Sequence, residues 1–187
     1  MRKIILASNS PRRKELMNML QVEYEIIVSN VDEIIDKTLS ESELVMDLAF
    51  QKAVDIFRTH KDDLVLGFDT LVYVDDEILG KPKSKEEAKA MLQKLSGKTH
   101  SVITGCALIT KTLSKSFYEK ARVTFYPLTE EEIDTYIESK EPFDKAGAYA
   151  VQGLGAKFIK GIVGDFYTVM GLPVGRLYHE LKQNGLI

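Results

Sequence analysis

A chain of 187 residues, 44% hydrophobic and 28% charged, can bury one full core or two small lobes. Its net charge of -3 argues against a nucleic-acid-coating surface, so basic groups should matter locally. The single cysteine, Cys106, excludes an internal disulfide and a cysteine metal cluster and fits a reducing cytoplasm. The apolar run after Met1-Arg2-Lys3 is too short for a signal peptide, and no run reaches membrane-spanning length, so a cytoplasmic protein without a membrane partner is expected.

Ile4 to Ala7 reads as a buried strand, and Lys14 to Leu20 as a helix from its apolar spacing. Between them lies Ser8-Asn9-Ser10-Pro11-Arg12-Arg13. Ser10 suits an N-cap, and Pro11 the first helical position, where its missing N–H costs nothing. Three cations, Arg12, Arg13 and Lys14, then crowd the positive end of the helix dipole. Each is unfavourable there by about 0.3–1 kcal/mol unless an anion sits among them. The alternatives are solvated surface charges or a phosphate cradle of hydroxyls, N–H groups and guanidinium forks; the cradle is the reading adopted.

Tyr24 to Val28 reads as a second strand, followed by the polar loop Ser29 to Glu33. Asp32 and Glu33 are ordinary surface acids or holders of a divalent cation. Glu41 to His60 is a long helix with Leu44, Val45, Leu48, Ala49, Ala53, Ile56 and Phe57 on one face. Lys52 falls inside that stripe, either snorkelling outward or gripping a phosphate as a point charge. Leu64 to Val74 is a dense apolar strand interrupted by Asp69. An isolated carboxylate in a sheet is costly, so it must be neutral, paired or metal-bound, and such placements mark functional sites. Asp75, Asp76 and Glu77 read as a solvated turn, after which Ile78 to Pro82 returns toward the same region with Lys81 in the turn. Ser84 with Glu87 forms a capping box for a helix carrying Ala88, Met91, Leu92 and Leu95 inward.

Ser101 to Ile109 and Phe117 to Phe125 read as antiparallel strands, and Thr129 with Glu132 as a second capping box. Glu141 to Gly155, with interleaved glycines and aromatics, suggests a structured loop that lets backbone approach a ligand. Lys157 to Val163 and Phe166 to Met170 read as a closing strand pair. Gly171-Leu172-Pro173 starts a last helix with Leu177, Tyr178 and Leu181 inward. The early half looks α/β and the later part antiparallel, which two lobes with a cleft between them would explain.

The candidate groups are therefore Ser8, Ser10, Arg12, Arg13, Lys52 and Lys81 against the carboxylates Glu33 and Asp69. This set suits a polyphosphate held with a hard divalent cation such as Mg2+, a carboxylate accepting the proton of the attacking water. No Walker motif follows any glycine pair, and Gly153-Leu154-Gly155 lacks the rest of a dinucleotide fingerprint. His60, His100 and His179 are scattered, which excludes a His-x-x-His metal pair and a serine-hydrolase arrangement. Metal-assisted hydrolysis of a phosphoanhydride leads by elimination.

These residues resemble the Maf family. The resemblance rests on Ala7-Ser8-Asn9-Ser10-Pro11-Arg12-Arg13, Val31-Asp32-Glu33, Lys52-Ala53, Phe68-Asp69-Thr70, Gly80-Lys81-Pro82, Asp144 to Gly147, Val151-Gln152-Gly153 and Gly171-Leu172-Pro173, in family order along nearly the whole chain. It implies one Maf-like domain over 1–187, a two-lobed α/β fold with an elongated mixed β-sheet flanked by helices, a cleft between the lobes, and similarity to inosine triphosphate pyrophosphatases. It also implies a cytoplasmic, Mg2+- or Mn2+-dependent nucleoside triphosphate pyrophosphatase. Carried over residue by residue, Asp69 is the proton acceptor, and Ser8, Arg13, Glu33, Lys52 and Lys81 serve phosphate or metal. Asp69, Lys52 and Lys81 are thus the expected catalytic set, Glu33 and Asp69 the expected metal ligands, and Ser8, Ser10, Arg12, Arg13, Thr70 and Gln152 the expected substrate contacts.

The positions that divide the family by substrate fall on Arg12, Thr70 and Gln152 and resemble the branch acting on dTTP and UTP, with modified pyrimidine nucleotides as further candidates. The Gln152 amide offers a donor and an acceptor, complementing the O4 and N3–H edge of uracil or thymine. A homodimer is what the resemblance suggests, and no stable nucleic-acid complex is expected. Two alternatives remain at this stage: a nucleotide- or nucleic-acid-binding regulator of septum formation without turnover, and a phosphatase releasing orthophosphate.

Overall fold

The run Ile4–Leu6 forms β1, buried at every position. A computed structural model describes residues 2–187, so Met1 lies outside the described residues. β1 pairs in parallel with β2 (Glu25–Ile26) on one side and β3 (Leu64–Val74) on the other. β2 is shorter than expected and exposed at both residues, and among the described residues it stands at the end of the strand order β2-β1-β3-β5-β6-β7. Mixed strands flanked by helices give the expected α/β class.

Helix α1 (Pro11–Asn18) leads from β1 to β2, and α2 (Glu41–Phe57) from β2 to β3. Because β2 and β3 lie on opposite sides of β1, right-handed crossovers place α1 and α2 on opposite faces of the sheet. The chain thus reverses its winding direction between β1 and β3, and the crevice outside the carboxyl ends of such strands is where open α/β sheets bind ligands. β3 runs on past its last pairing with β1, Leu6 opposite Leu66, so Phe68, Asp69 and Thr70 stand beyond the end of β1.

α2 buries Leu44, Val45, Leu48, Ala49, Ala53 and Ile56. It sits unusually low on the sheet at two glycines. A methyl on Gly67 would lie 2.2 Å from the Ala49 carbonyl oxygen and 2.8 Å from Ala53 Cβ. One on Gly105 would lie 2.2 Å from the Val45 carbonyl oxygen. Backbone thus approaches backbone at positions where only hydrogen fits.

The remaining elements are β4 (Glu77–Leu79), α3 (Lys85–Leu95), β5 (Thr99–Ile109), β6 (Ser114–Phe125), α4 (Glu130–Glu138), β7 (Ile159–Val163), α5 (Phe166–Met170) and α6 (Val174–Gln183). The chain divides into two compact units: Met1–Thr70, Thr104–Glu119 and Gly171–Ile187 form one, and Leu71–Ile103 with Lys120–Met170 the other. In the second unit, β4 folds back on β3 through Asp75 and Asp76, both at positive φ, as a tight hairpin demands. Its acids are not simply solvated: Asp75 pairs with Lys98 at 2.5 Å, and Glu77 with Lys94. Its core gathers Val72, Leu92, Phe125, Tyr136 and Phe158 among others.

Several local expectations need correction. Phe166–Met170 is a helix, because Asp165 Oδ2 accepts from both the Thr168 N–H (2.7 Å) and its hydroxyl (2.8 Å), turning the chain. Ser84 caps Glu87 N–H, but the Glu87 carboxylate takes the Lys83 N–H instead of closing the box; the Thr129–Glu132 box is complete. On α6, Tyr178 is exposed and Glu180 is buried in its place, because Lys115 (2.5 Å) and Arg176 (2.8 Å) neutralise the carboxylate.

His100 lies in the second unit's core, 2% exposed, edge-on to Phe125 and Tyr149, with Nε2 2.8 Å from the Tyr149 hydroxyl. Burial pushes its pKa down to about 4, against about 6.5 when unfolded. The unfolded chain therefore takes up this proton first as pH falls. Stability from this residue is intact above about 6.5 and is lost toward pH 4, by about 3 kcal/mol. Melting temperatures recorded from pH 7 to 4.5 should fall accordingly. His100→Phe should flatten that slope despite leaving the Tyr149 hydroxyl without its ring partner.

Candidate active site

The first unit gathers Ser8, Ser10, Arg12, Arg13, Glu33, Lys52, Asp69 and Thr70 around the carboxyl end of β1. The local signals work as read: Ser10 caps α1, its hydroxyl accepting from Arg13 N–H at 3.5 Å, and Pro11 opens the helix. Ser8 is 7% exposed, and its Oγ accepts from Ser10 N–H (3.3 Å) and Arg13 Nη1 (3.2 Å). Those two donors use both lone pairs, so the remaining bond a Ser8 hydroxyl can make is donation of its proton, as an anion requires. Arg12 is half-buried in the first turn of α1.

Arg13 is bound into the protein on three sides. Its Nε donates to Gly171 O (2.9 Å), Nη1 to Ser8 Oγ and Nη2 to Thr70 Oγ1 (3.1 Å), while its guanidinium stands 5.9 Å over the Phe68 ring. Three of the five N–H groups of a guanidinium are thereby committed to the protein. Burial lowers the Arg13 pKa, and the Asp69 carboxylate, with Glu33 more weakly, opposes that fall. Thr70 also meets the buried Thr104 hydroxyl at 3.0 Å. Thr70 is therefore held by protein groups, a constraint the sequence did not show.

Across β3, consecutive side chains alternate between faces. Phe68 and Thr70 face Arg13 of α1, whereas Gly67 and Asp69 face α2. Lys52 Nζ binds Asp69 Oδ1 directly and lies 3.1 Å from Glu33 Oε1. The Asp69 and Lys52 side chains are 13% and 17% exposed, and Glu33 39%, so the trio runs from interior to solvent. The low seat of α2 on Gly67 creates this contact: it brings Ala53, and Lys52 beside it, down to the strand that carries Asp69. Glu33 and Asp69 thus share one cationic point. Among the described residues no cluster of three or more His, Cys, Asp or Glu forms a ready metal cage. Two carboxylates with hard oxygen donors nonetheless match an Mg2+-type ion that takes its other ligands from phosphate and water.

Lys81 and Gln152 belong to the second unit, both exposed. Gly80 O accepts from Gly147 N–H at 3.0 Å, tying the Lys81 turn to the Asp144–Gly147 segment. The Gln152 loop is organised by Glu141, which the sequence reading passed over. Its carboxylate accepts from Tyr136 OH (2.8 Å), Leu154 N–H (2.9 Å) and Gly155 N–H (3.1 Å). Burial alone would raise the Glu141 pKa, but the Leu154 N–H, the Tyr136 hydroxyl and the Gly155 N–H outweigh it and the carboxyl titrates below its usual range. Tyr136 OH also receives Ala150 N–H at 3.3 Å, so the loop is held on both sides of Gln152. An acid just before a glycine-rich stretch was the available signal.

A Bacillus cereus protein named dTTP/UTP pyrophosphatase is 57% identical over 183 residues, covering 98% of this chain and 96% of its own. Solved structures of HAM1 proteins from Coxiella burnetii (TM-score 0.57, 17% identity) and Staphylococcus aureus (TM-score 0.56, 16% identity) each match 98% of this chain and 100% of theirs, showing the fold. The family described as Maf-like protein matches residues 3–184, and the chain belongs to that family.

Proposed function

We infer that this protein hydrolyses dTTP and UTP to the nucleoside monophosphate and pyrophosphate. The observation that carries the reading is the Glu33–Lys52–Asp69 trio standing beside the Ser8–Arg13 loop at the end of β1, in a chain 57% identical to a named dTTP/UTP pyrophosphatase. Lys52 holds Asp69 through Oδ1, and Oδ2 takes the proton of the attacking water. The Lys52 ammonium and the remaining Arg13 N–H groups offset phosphate charge, the Ser8 hydroxyl donates to a phosphate oxygen, and Ser10 keeps the first turn of α1 in place. Arg12 and Lys81 supply further positive charge. Glu33 and Asp69 would hold an Mg2+ or Mn2+ ion, which when bound neutralises phosphate and acidifies water. Gln152 selects the pyrimidine through its paired donor and acceptor, while Thr70 orients Arg13, whose Nη2 donates to its hydroxyl at 3.1 Å. The reading includes a cytoplasmic location, in keeping with the lone buried Cys106, and no helix among the described residues is long and apolar enough to cross a membrane.

Product analysis with dTTP, UTP and GTP in Mg2+ or Mn2+ tests this directly: pyrophosphate from the two pyrimidine nucleotides is expected, and orthophosphate or binding without turnover would overturn it. Gln152→Ala should cut the preference of kcat/KM for dTTP over GTP by about tenfold or more, the scale on which a site loses discrimination with its polar partner. Because Gln152 is exposed, its melting temperature should not move. Unchanged selectivity would remove Gln152 from base recognition.

A further inference from the structure

The loop that carries Glu33 has no helix or strand between β2 and α2. Burial does not hold it either, since Ile34 and Ile35, the residues after Glu33, are 73% and 58% exposed. What fixes it is one polar stripe on α2. Asp47, Gln51 and Asp55 recur every fourth residue and so share one helix face. Gln51 Oε1 accepts from Ile34 N–H (2.9 Å), and Gln51 Nε2 donates to Ile34 O (2.9 Å) and to Asp47 Oδ2 (2.6 Å). A primary amide has two N–H donors and one carbonyl oxygen, so every group of this side chain is engaged, and a single amide reads both backbone groups of one residue. On the other flank, Asp55 Oδ2 accepts from the Ser29 hydroxyl (2.8 Å) and Asn30 N–H (3.3 Å). Val31 to Glu33 is thereby pinned at both ends.

We propose that Gln51, braced by Asp47 and aided by Asp55, is a positioning residue that holds Glu33 against Lys52, and so a determinant of turnover that touches no substrate. This rests on Glu33 serving the hydrolytic site. The adjacency of Gln51 and Lys52 means that one helix sets both partners of the Glu33 contact: Lys52 directly, and Glu33 through the loop. A disturbance in the loop is therefore felt as a misplaced carboxylate, not as a loss of fold.

The test is a double-mutant cycle on dTTP hydrolysis joined to hydrogen exchange on the uncomplexed protein. Gln51→Ala should lower kcat about tenfold, as misplacement of a reacting group does, and add less than about twofold once Glu33 is already Gln. Independently of activity, exchange at the Ile34 amide should quicken by about tenfold or more in Gln51→Ala and in Gln51→Leu, which keeps comparable bulk but offers no acceptor to the Ile34 N–H. Amides of β3 should stay unchanged. Equal losses in both backgrounds, or an Ile34 amide indifferent to Gln51, overturns the proposal. If Glu33→Gln alone keeps full turnover, the role given to Glu33 falls instead, and the exchange result still decides whether Gln51 holds the loop.

Discussion

Asp69→Asn is expected to lower kcat for dTTP by about 10²–10⁴-fold, the range supplied by a positioned proton acceptor, while KM moves little. Asparagine keeps the shape and still offers an oxygen to Lys52, but it carries no charge and cannot take a proton from water at neutral pH. The fold should survive. Removing one partner of a largely buried ion pair is ordinarily costly because the other charge is stranded, but Lys52 retains Glu33 at 3.1 Å. A melting temperature within a few degrees of the parent, alongside the collapse in pyrophosphate release, is the expected pair of measurements. An Asp69→Asn enzyme with ordinary turnover would show that Asp69 neither accepts the proton nor binds the cation, and the mechanism would have to be rebuilt around Glu33.

The second large effect is expected from a residue with no chemistry. Gly67→Ala puts a methyl group 2.2 Å from the Ala49 carbonyl oxygen, an obstacle that is backbone and cannot rotate away. Overpacking of this kind costs about 1–3 kcal/mol, which for a chain of this size lowers the melting temperature by about 2–12 °C. Helix α2 must lift off the sheet, carrying Lys52 away from Asp69, so turnover should fall by about 10²-fold as well. Gly161→Ala, where the added methyl meets nothing within 4 Å, is the control that should leave both quantities nearly unchanged. A fully active, fully stable Gly67→Ala protein would mean that the seat of α2 is softer than its close contacts indicate.

Much of this architecture was legible because its signals are local. Ser10 and Pro11 declare a helix start, Thr129 and Glu132 declare another, and the carboxylate of Asp69 stands out in an apolar strand found at the expected Leu64–Val74. The failures share a different cause. Phe166–Met170 has the composition of a strand, and a single carboxylate, Asp165, overrides it. Tyr178 looks like core and Glu180 like surface, yet the order inverts because Lys115 arrives from strand β6 to neutralise the acid. Arg13 was readable as a cation in the first turn of a helix, but its bond to Gly171 joins residues 158 positions apart and leaves no trace in local pattern. Gln51 was invisible for the same reason: its partner is an irregular loop, and polar residues on a helix look solvated until the loop is placed.

That bond from Arg13 to Gly171 has a consequence for how the protein comes into being. The unit that carries the trio and the Ser8 loop is assembled from three separated stretches, the last beginning at Gly171. A ribosome must therefore deliver the chain through Gly171 before the earliest turn can reach its final arrangement. Chains stalled or clipped ahead of that point should be inert toward nucleotides, whatever structure they have already acquired, and activity should appear only once the stretch from Gly171 has been made.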